Sequence, residues 1–230
     1  MLIRPLIAML LLAPLALAQE TTPPLFAADT PIIDYQHPQL PDYGRIGMVV
    51  SPEKLAGDIG LDMLKQGGNA VDAAVATGFA LAVTLPRAGN LGGGGFMLVH
   101  LAETDEQIFI DYRETAPAAA SRDMFLNADG TVNKAKAYFS RQAAGVPGTV
   151  AGLVHAQTQY GKLPLATVIQ PAIDLAEQGF DTPLALNMSL TSRAERLAMD
   201  PEAKRIYLQG TKKAPAPGAV FKQPDLARTL

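Results

Sequence analysis

The sequence contains no cysteine and no tryptophan, and it has only three histidines in 230 residues. Without cysteine there is no disulfide framework, no iron–sulfur ligation and no thiolate nucleophile. The same scarcity of ligands disfavours a structural zinc site. Lys and Arg number 19 against 22 Asp and Glu, with no basic cluster. The charge pattern therefore offers no footprint for nucleic acid.

The sequence does contain enough apolar residues to form a hydrophobic core. Hydrophobic residues make up 48% of the chain and charged residues 18%. This composition is typical of a globular protein and excludes a disordered or low-complexity chain. The length allows one large domain or two small ones.

The first 18 residues have the features of a secretory signal peptide. Arg4 is their single charge, an apolar run covers residues 6–17, and Ala16 and Ala18 stand at the usual cleavage positions. Prolines interrupt the run, and a bilayer span needs about 20 apolar residues, so a membrane anchor is the weaker alternative. We predict cleavage after Ala18 and a periplasmic or secreted product with no membrane contact once the signal is removed.

Residues 19–44 contain five prolines and are predicted to form an extended lead segment without a function of its own. The folded region is predicted to start with a strand at 46–50. Ser51–Pro52 then has the pattern of an N-cap and first helical residue, and the glycines at 67–68 end this helix. Asn69 is predicted to cap a second, Ala-rich helix that must be buried because it is apolar all round.

The rest of the chain mixes strands with helices. The patterns predict a hairpin of strands at 96–101 and 107–112, a polar stretch at 121–141, a helix that Pro147-Gly148-Thr149 opens and that runs to Tyr160, helices over 165–178 and 184–197, and a loop at 214–218. This mixture indicates an α+β fold. Residues 223–230 begin an amphipathic helix but stop after about two turns. We therefore expect the chain to be part of a longer protein.

Four consecutive glycines, Gly92–Gly95, form the most conspicuous motif. A phosphate-binding loop needs a G-x-G-x-x-G turn before a helix, or a Gly-Lys-Ser/Thr ending. Here the glycines precede a strand and no lysine follows, which argues against a nucleotide site. The favoured interpretation is that backbone approaches a packed helix or a ligand so closely that any Cβ would clash.

Serine and histidine give no catalytic signature. The sequence has no G-x-S-x-G elbow, and His37, His100 and His155 lie far apart along the chain. A lone histidine is more often structural than catalytic, so each of the three is interpreted as structural.

Arg113 is the one candidate binding residue, in the segment Asp111-Tyr112-Arg113-Glu114 at the end of a predicted strand. A guanidinium in that place can bind a carboxylate through two parallel hydrogen bonds. Alternatively, Arg113 only pairs with Asp111 or Glu114 on the surface, which contributes about 0–1 kcal/mol. The residues alone leave both interpretations open.

The chain resembles the γ-glutamyltranspeptidase family in four segments that occur in the family's order, at 64–76, 88–97, 111–117 and 145–152. The likeness extends from about Gly47 to the end of the chain. It implies an N-terminal nucleophile hydrolase fold, a stacked αββα sandwich. Residues 45–230 would then be a partial domain, the first part of the large subunit.

The resemblance also implies a chemistry. Family members are precursors that cut themselves, and the new N-terminal Thr of the small subunit attacks the γ-glutamyl group with its own α-amine available as base. The implied donors are glutathione and other γ-glutamyl compounds, and the implied acceptors are water, amino acids or dipeptides. No cofactor is implied. The family's nucleophile lies beyond residue 230, so no catalytic residue is expected here, and this chain alone is expected to be inactive.

The resemblance implies a specific function for one residue of this chain. Arg113 matches the family arginine that binds the α-carboxylate of the γ-glutamyl group. Thr149 is not the nucleophile but is expected to be a helix N-cap. The Gly92–Gly95 run resembles a structural stretch beside the active site.

Two other functions stay open. One is a related acylase of the same fold that acts on cephalosporin side chains or poly-γ-glutamate. Arg113 discriminates against a glutaryl substrate, which has no α-carboxylate. The other is a periplasmic binding protein without catalysis. In each case a partial domain would leave a sheet edge and an apolar face uncovered, so we expect poor solubility.

Overall fold

The computed structural model describes residues 41–230. The predicted signal peptide, residues 1–18, and nearly all of the predicted lead segment at 19–44 lie outside the described residues. Tyr43–Leu230 form one unit around a shared core. No helix in this described part is long and apolar enough to cross a membrane.

The described chain is mainly helical, with two small antiparallel sheets. In chain order the elements are α1 Lys54–Lys65, α2 Ala70–Thr84, β1 Phe96–Leu101, β2 Glu106–Asp111, α3 Lys134–Phe139, a 3₁₀ turn Arg141–Ala143, α4 Thr149–Tyr160, α5 Leu165–Gln178, β3 Phe180–Asp181, α6 Leu184–Thr191, α7 Ala194–Leu197, α8 Pro201–Tyr207, β4 Val220–Phe221 and α9 Pro224–Thr229. Most of these elements were predicted; α3, α8 and the pair β3–β4 were not.

The predicted strand at 46–50 is wrong. These residues form no strand, because a strand needs a neighbour, and within residues 41–230 their backbone makes no backbone hydrogen bond. The Ser51–Pro52 helix start is wrong as well. Helix α1 begins at Lys54, and its N-cap is Glu53, whose carboxylate accepts a hydrogen bond from the backbone N–H of Ala56 at 3.1 Å.

The junction between α1 and α2 is as predicted. Gly67 has φ +89°, the left-handed conformation that glycine adopts without strain, and it ends α1. The side-chain oxygen of Asn69 accepts hydrogen bonds from the N–H groups of Val71 and Asp72. The Asp72 carboxylate in turn accepts from the Asn69 N–H at 2.6 Å, which completes a capping box.

Helix α2 is the centre of the core, as its apolar composition predicted. It packs against α1, α4 and α5. Its largest fully buried side chains are Phe79, Val75 and Val83. Helix α5 occupies the predicted range, residues 165–178, and ends at Gly179.

The hairpin β1–β2 was predicted, with β2 one residue earlier than expected. Its register pairs Phe96 with Asp111 at one end and Leu101 with Glu106 at the other. The inner face packs on the helical core through Met97, Val99, Leu101, Ile108 and Ile110. The outer face is also apolar but exposed: Phe96, Leu98 and Phe109 keep 53%, 69% and 63% of their surface accessible.

The predicted helix at 184–197 is wrong as a single element, because the structure divides it into α6 and α7. The Ser192 hydroxyl donates a hydrogen bond to the Ser189 carbonyl at 2.8 Å. Arg193 has φ −120° and leaves the helical conformation. Serine that binds nearby backbone competes with the helical hydrogen bonds, which favours an end at this point.

Candidate functional site

Three of the four family-like segments meet at the open end of the hairpin. Gly95 and Tyr112 exchange backbone hydrogen bonds just beyond the first ladder pair, at 3.0 and 3.4 Å. Thr115 and Val146 form an isolated antiparallel bridge. The Gly93 carbonyl accepts hydrogen bonds from the N–H groups that begin α4. Segments 88–97, 111–117 and 145–152 therefore build one small structure around Arg113.

The glycine run allows the close backbone approach that the sequence predicted. A Cβ on Gly94 would lie 2.5 Å from the Tyr112 carbonyl oxygen, and one on Gly95 would lie 2.9 Å from the Tyr112 ring. The Gly93 carbonyl accepts from the N–H groups of Gly148 and Thr149 at 2.9 and 3.0 Å. These glycines are needed for space and not for a left-handed φ, because none of them has a positive φ.

Thr149 is not the helix N-cap, so that prediction is wrong. Gly148 holds the cap position, and Thr149 is the first residue of α4. The N–H groups of Gly148 and Thr149, the cap residue and the first helical residue, donate to the Gly93 carbonyl. This contact with a distant backbone group fixes the start of α4, and a local sequence pattern does not reveal it.

Arg113 projects from the end of β2 into solvent. Its backbone N–H donates to the Asp111 carboxylate at 3.0 Å, which fixes the turn after the strand. Its side chain is 67% exposed, and its Nε donates to Glu114 Oε2 at 3.2 Å. The guanidinium carbon lies 5.9 Å from the centre of the Phe96 ring.

The surface pair with Glu114 uses only part of the Arg113 guanidinium. Only Nε is used in that pair, and within residues 41–230 the two terminal nitrogens make no hydrogen bond. An exposed ion pair of this kind contributes about 0–1 kcal/mol, so a ligand carboxylate can compete for the guanidinium. Terminal nitrogens of one guanidinium can bind both oxygens of a carboxylate.

Tyr112 is a residue of this site that was not identified from the sequence. Its ring is half-buried, and burial raises the pKa of its hydroxyl. A Cβ on Gly152 would lie 2.1 Å from Tyr112 Cγ. Gly148 and Gly152, four residues apart on one helix face, were a usable signal for close packing. The residue that packs there is known only from the tertiary structure.

Of the two histidines in the described residues, His155 lies near this site and His100 does not. His100 is exposed and pairs with Gln107 in the hairpin. Four residues separate it from Phe96, which is about 13 Å along a strand. His155 is exposed on α4, where it lines the same groove as Tyr112 and Gly152 and its ring meets the edge of Tyr160 at 6.4 Å. His37 lies outside the described residues.

Comparisons with known proteins first define the class. The crystal structure of Helicobacter pylori gamma-glutamyltranspeptidase superposes on this chain with a TM-score of 0.79 at 41% identity, and the match covers 83% of this chain and 54% of that one. The fold is that of the N-terminal nucleophile hydrolases, so the predicted α+β class is confirmed.

The family follows from the sequence comparison. The profile described as Gamma-glutamyltranspeptidase matches residues 56–230, and the chain belongs to this family. The glutathione hydrolase proenzyme of Escherichia coli strain K12 is 45% identical over 184 residues, which are 80% of this chain and 32% of that protein. The acylase ACY 1 proenzyme of Pseudomonas sp. strain SE83 is 38% identical over 205 residues, 86% of this chain and 36% of that protein.

The chain spans about a third of the length of the curated relatives that it matches.

Proposed function

We propose that this chain is the donor-binding part of a γ-glutamyltransferase and glutathione hydrolase. In the complete enzyme, where this chain is joined to the remaining segment, Arg113 binds the α-carboxylate of glutathione or another γ-glutamyl compound. The observation that carries the proposal is the exposed guanidinium at the hairpin end, held where three family-like segments meet. The relatives named glutathione hydrolase proenzyme, at 45% and 43% identity, support this donor class.

The proposed reaction needs both this chain and the small subunit of the complete enzyme. A threonine at the N-terminus of the small subunit attacks the γ-glutamyl amide, and its α-amine takes the proton of the hydroxyl. The amide C–N bond then breaks, the leaving amine takes that proton, and the γ-glutamyl ester of the threonine is the acyl-enzyme. The γ-glutamyl group then passes from the acyl-enzyme to water, an amino acid or a dipeptide. Arg113 contacts a carboxylate that takes no part in bond breaking. It binds the ground state and the transition state alike, so it lowers KM and leaves kcat largely unchanged.

The small subunit of the same precursor is the proposed partner. The outer face of the hairpin has stacked Phe96 and Phe109 rings, with centroids 5.7 Å apart, and an exposed Leu98. The relatives have about two thirds of their length outside the matched region, enough for a second layer on this face. Arg113 lies beside Phe96, so a subunit on this face would reach the bound donor.

We also propose a periplasmic or secreted location, which the signal-like first 18 residues support.

Replacing Arg113 with Lys tests the donor assignment. The change keeps the positive charge but removes the two-nitrogen fork, so we expect KM for glutathione to rise at least tenfold while kcat changes little. Arg122→Lys is the matched control, because Arg122 is an exposed arginine paired with the neighbouring Asp123. The measurement is the steady-state kinetics of the complete enzyme, with this chain alone as the inactive blank. An unchanged KM in the Arg113 variant would refute the assignment.

The same variant decides between transferase and acylase. The acylase alternative is supported by the relative named acylase ACY 1 proenzyme, which is 38% identical. If Arg113 recognises an α-carboxylate, Arg113→Lys weakens use of γ-glutamyl-p-nitroanilide but not of glutaryl-p-nitroanilide, which has no such group. Greater activity on the glutaryl compound in the unmodified enzyme would favour the acylase.

A further inference from the structure

We infer that Tyr112 is a positioning residue: its ring, held by glycines on two elements, sets the direction in which Arg113 leaves the hairpin. This inference rests on the proposed role of Arg113 in donor binding. It assigns to Tyr112, and to the glycines that surround it, a part in substrate recognition that needs no contact with substrate.

The ring of Tyr112 is wedged between the start of β1 and helix α4. On one side, a Cβ on Gly95 would lie 2.9 Å from Tyr112 Cε2. On the other side, a Cβ on Gly152 would lie 2.1 Å from Tyr112 Cγ. We call Gly95, Gly148 and Gly152 the glycine cradle. The Tyr112 hydroxyl makes no side-chain hydrogen bond within residues 41–230, so ring shape and not the hydroxyl accounts for the fit.

The backbone on either side of Arg113 is fixed by the same contacts. A Cβ on Gly148 would lie 2.0 Å from the Tyr112 carbonyl oxygen. That oxygen accepts from the Gly95 N–H, and the Tyr112 N–H donates to the Gly95 carbonyl. After Arg113, a Cβ on Gly94 would lie 2.7 Å from the Glu114 backbone nitrogen. Arg113 therefore stands between two backbone units that are closely packed against glycines.

A rigid backbone matters here because the Arg113 side chain has little else to hold it. It is 67% exposed, and within residues 41–230 its one side-chain hydrogen bond goes to Glu114. A long exposed side chain that must be ordered on binding loses conformational entropy. Two parallel hydrogen bonds to a carboxylate tolerate only small errors in position. The Tyr112 ring, held by the glycine cradle, fixes the backbone position from which the Arg113 guanidinium reaches the donor.

Three variants of the complete enzyme test the inference with γ-glutamyl-p-nitroanilide. Gly152→Ala pushes a methyl group into the Tyr112 ring, and Tyr112→Ala removes the ring without creating a clash. For both we expect KM to rise about tenfold with kcat within twofold, because Arg113 binds a group that does not react. Tyr112→Phe keeps the ring and should retain the unmodified KM.

Gly60→Ala is the control for general damage to packing. A Cβ on Gly60 would lie 2.3 Å from Thr77 Oγ1, between α1 and α2, where it touches no part of the cradle. This variant should lower thermal stability but leave KM unchanged. If it raises KM as much as Gly152→Ala does, the effect is general and the inference fails. If both Gly152→Ala and Tyr112→Ala leave KM unchanged while Arg113→Lys raises it, the inference fails and the proposed function stands. No effect from Arg113→Lys would instead overturn the proposed function.

Discussion

Asp72 is a fully buried carboxylate that joins α2 to the segment between α4 and α5. Its oxygens accept hydrogen bonds from the Asn69 N–H at 2.6 Å, from Gln157 Nε2 at 2.6 Å, and from the N–H groups of Lys162 and Leu163 at 3.1 and 2.9 Å. Burial alone would raise the pKa of Asp72, but these hydrogen bonds outweigh it and lower the pKa below its ordinary 3.8.

Asp72→Asn keeps the shape of this group and removes its charge. The new NH₂ group must face at least one of the N–H donors that now bind the carboxylate, so acceptors are lost where no water can replace them. A hydrogen bond to a charged group contributes about 1.5–3 kcal/mol. With up to two such bonds lost, we expect the free energy of unfolding to fall by about 3 kcal/mol. At a urea m-value of about 2 kcal/mol/M, the unfolding midpoint should fall by about 1.5 M.

The pH dependence gives an independent check on the charge. The pKa of Asp72 is lower in the folded chain than in the unfolded chain, so its stabilising contribution is complete above the unfolded value of about 4. That contribution is lost as the pH falls through the lower, folded value. The difference between the unmodified chain and Asp72→Asn should therefore be full at pH 7 and narrow below pH 4.

Urea unfolding followed by circular dichroism at pH 7, 5 and 3.5 measures both effects. Asp58→Asn is the control, since Asp58 is an exposed carboxylate on α1 that pairs with Lys54. Its midpoint should stay close to that of the unmodified chain. A midpoint for Asp72→Asn within 0.3 M of the unmodified chain, or a difference that does not change with pH, would refute this account of the buried carboxylate.

Two further predictions concern the core and the outer face of the hairpin. Phe79→Ala removes a side chain that is 1% exposed, and thermal denaturation should show a loss of about 3–5 kcal/mol; a loss below 1 kcal/mol would mean that the cavity collapses. Leu98→Lys changes a side chain that is 69% exposed, so unfolding of this chain should change by less than about 0.5 kcal/mol. The same change should reduce the yield of assembled, active enzyme, and a normal yield would argue against the outer face as the small-subunit contact.

Elements with their own local signals were predictable from the sequence. Asn69 and Asp72 form their capping box from residues three apart, and Gly179 ends α5 by taking φ +85°. The strand at 46–50 was wrong because its apolar pattern says nothing about whether a neighbour is present. The pair of Phe180 and Phe221 was missed for a similar reason: two-residue strands far apart in the sequence carry no periodicity.

The candidate site was predictable only in part. Arg113 was identified from its family-like motif, and the close packing of the glycine run from the absence of any phosphate-loop pattern around it. The role of Arg113 remains a prediction. The residues that pack against the glycines could not be predicted from the sequence. The close packing at Gly152 is explained only by the Tyr112 ring, which the fold brings beside it. The Thr149 cap was wrong by one position: Gly148 is the cap residue, and its N–H binds the Gly93 carbonyl from more than fifty residues away.

In this site, the residues that hold the backbone in place are different from the residue that is proposed to bind the donor. The closely packed parts are the glycines and the ring of Tyr112, whereas within residues 41–230 the side chain of Arg113 contacts Glu114 and Phe96. On the donor-binding role proposed for Arg113, a mutation at 113 would exchange the recognised group while the support beneath it keeps its structure. Position 113 is then the place to search for new donor specificity, and positions 95, 148 and 152 are the ones to leave untouched.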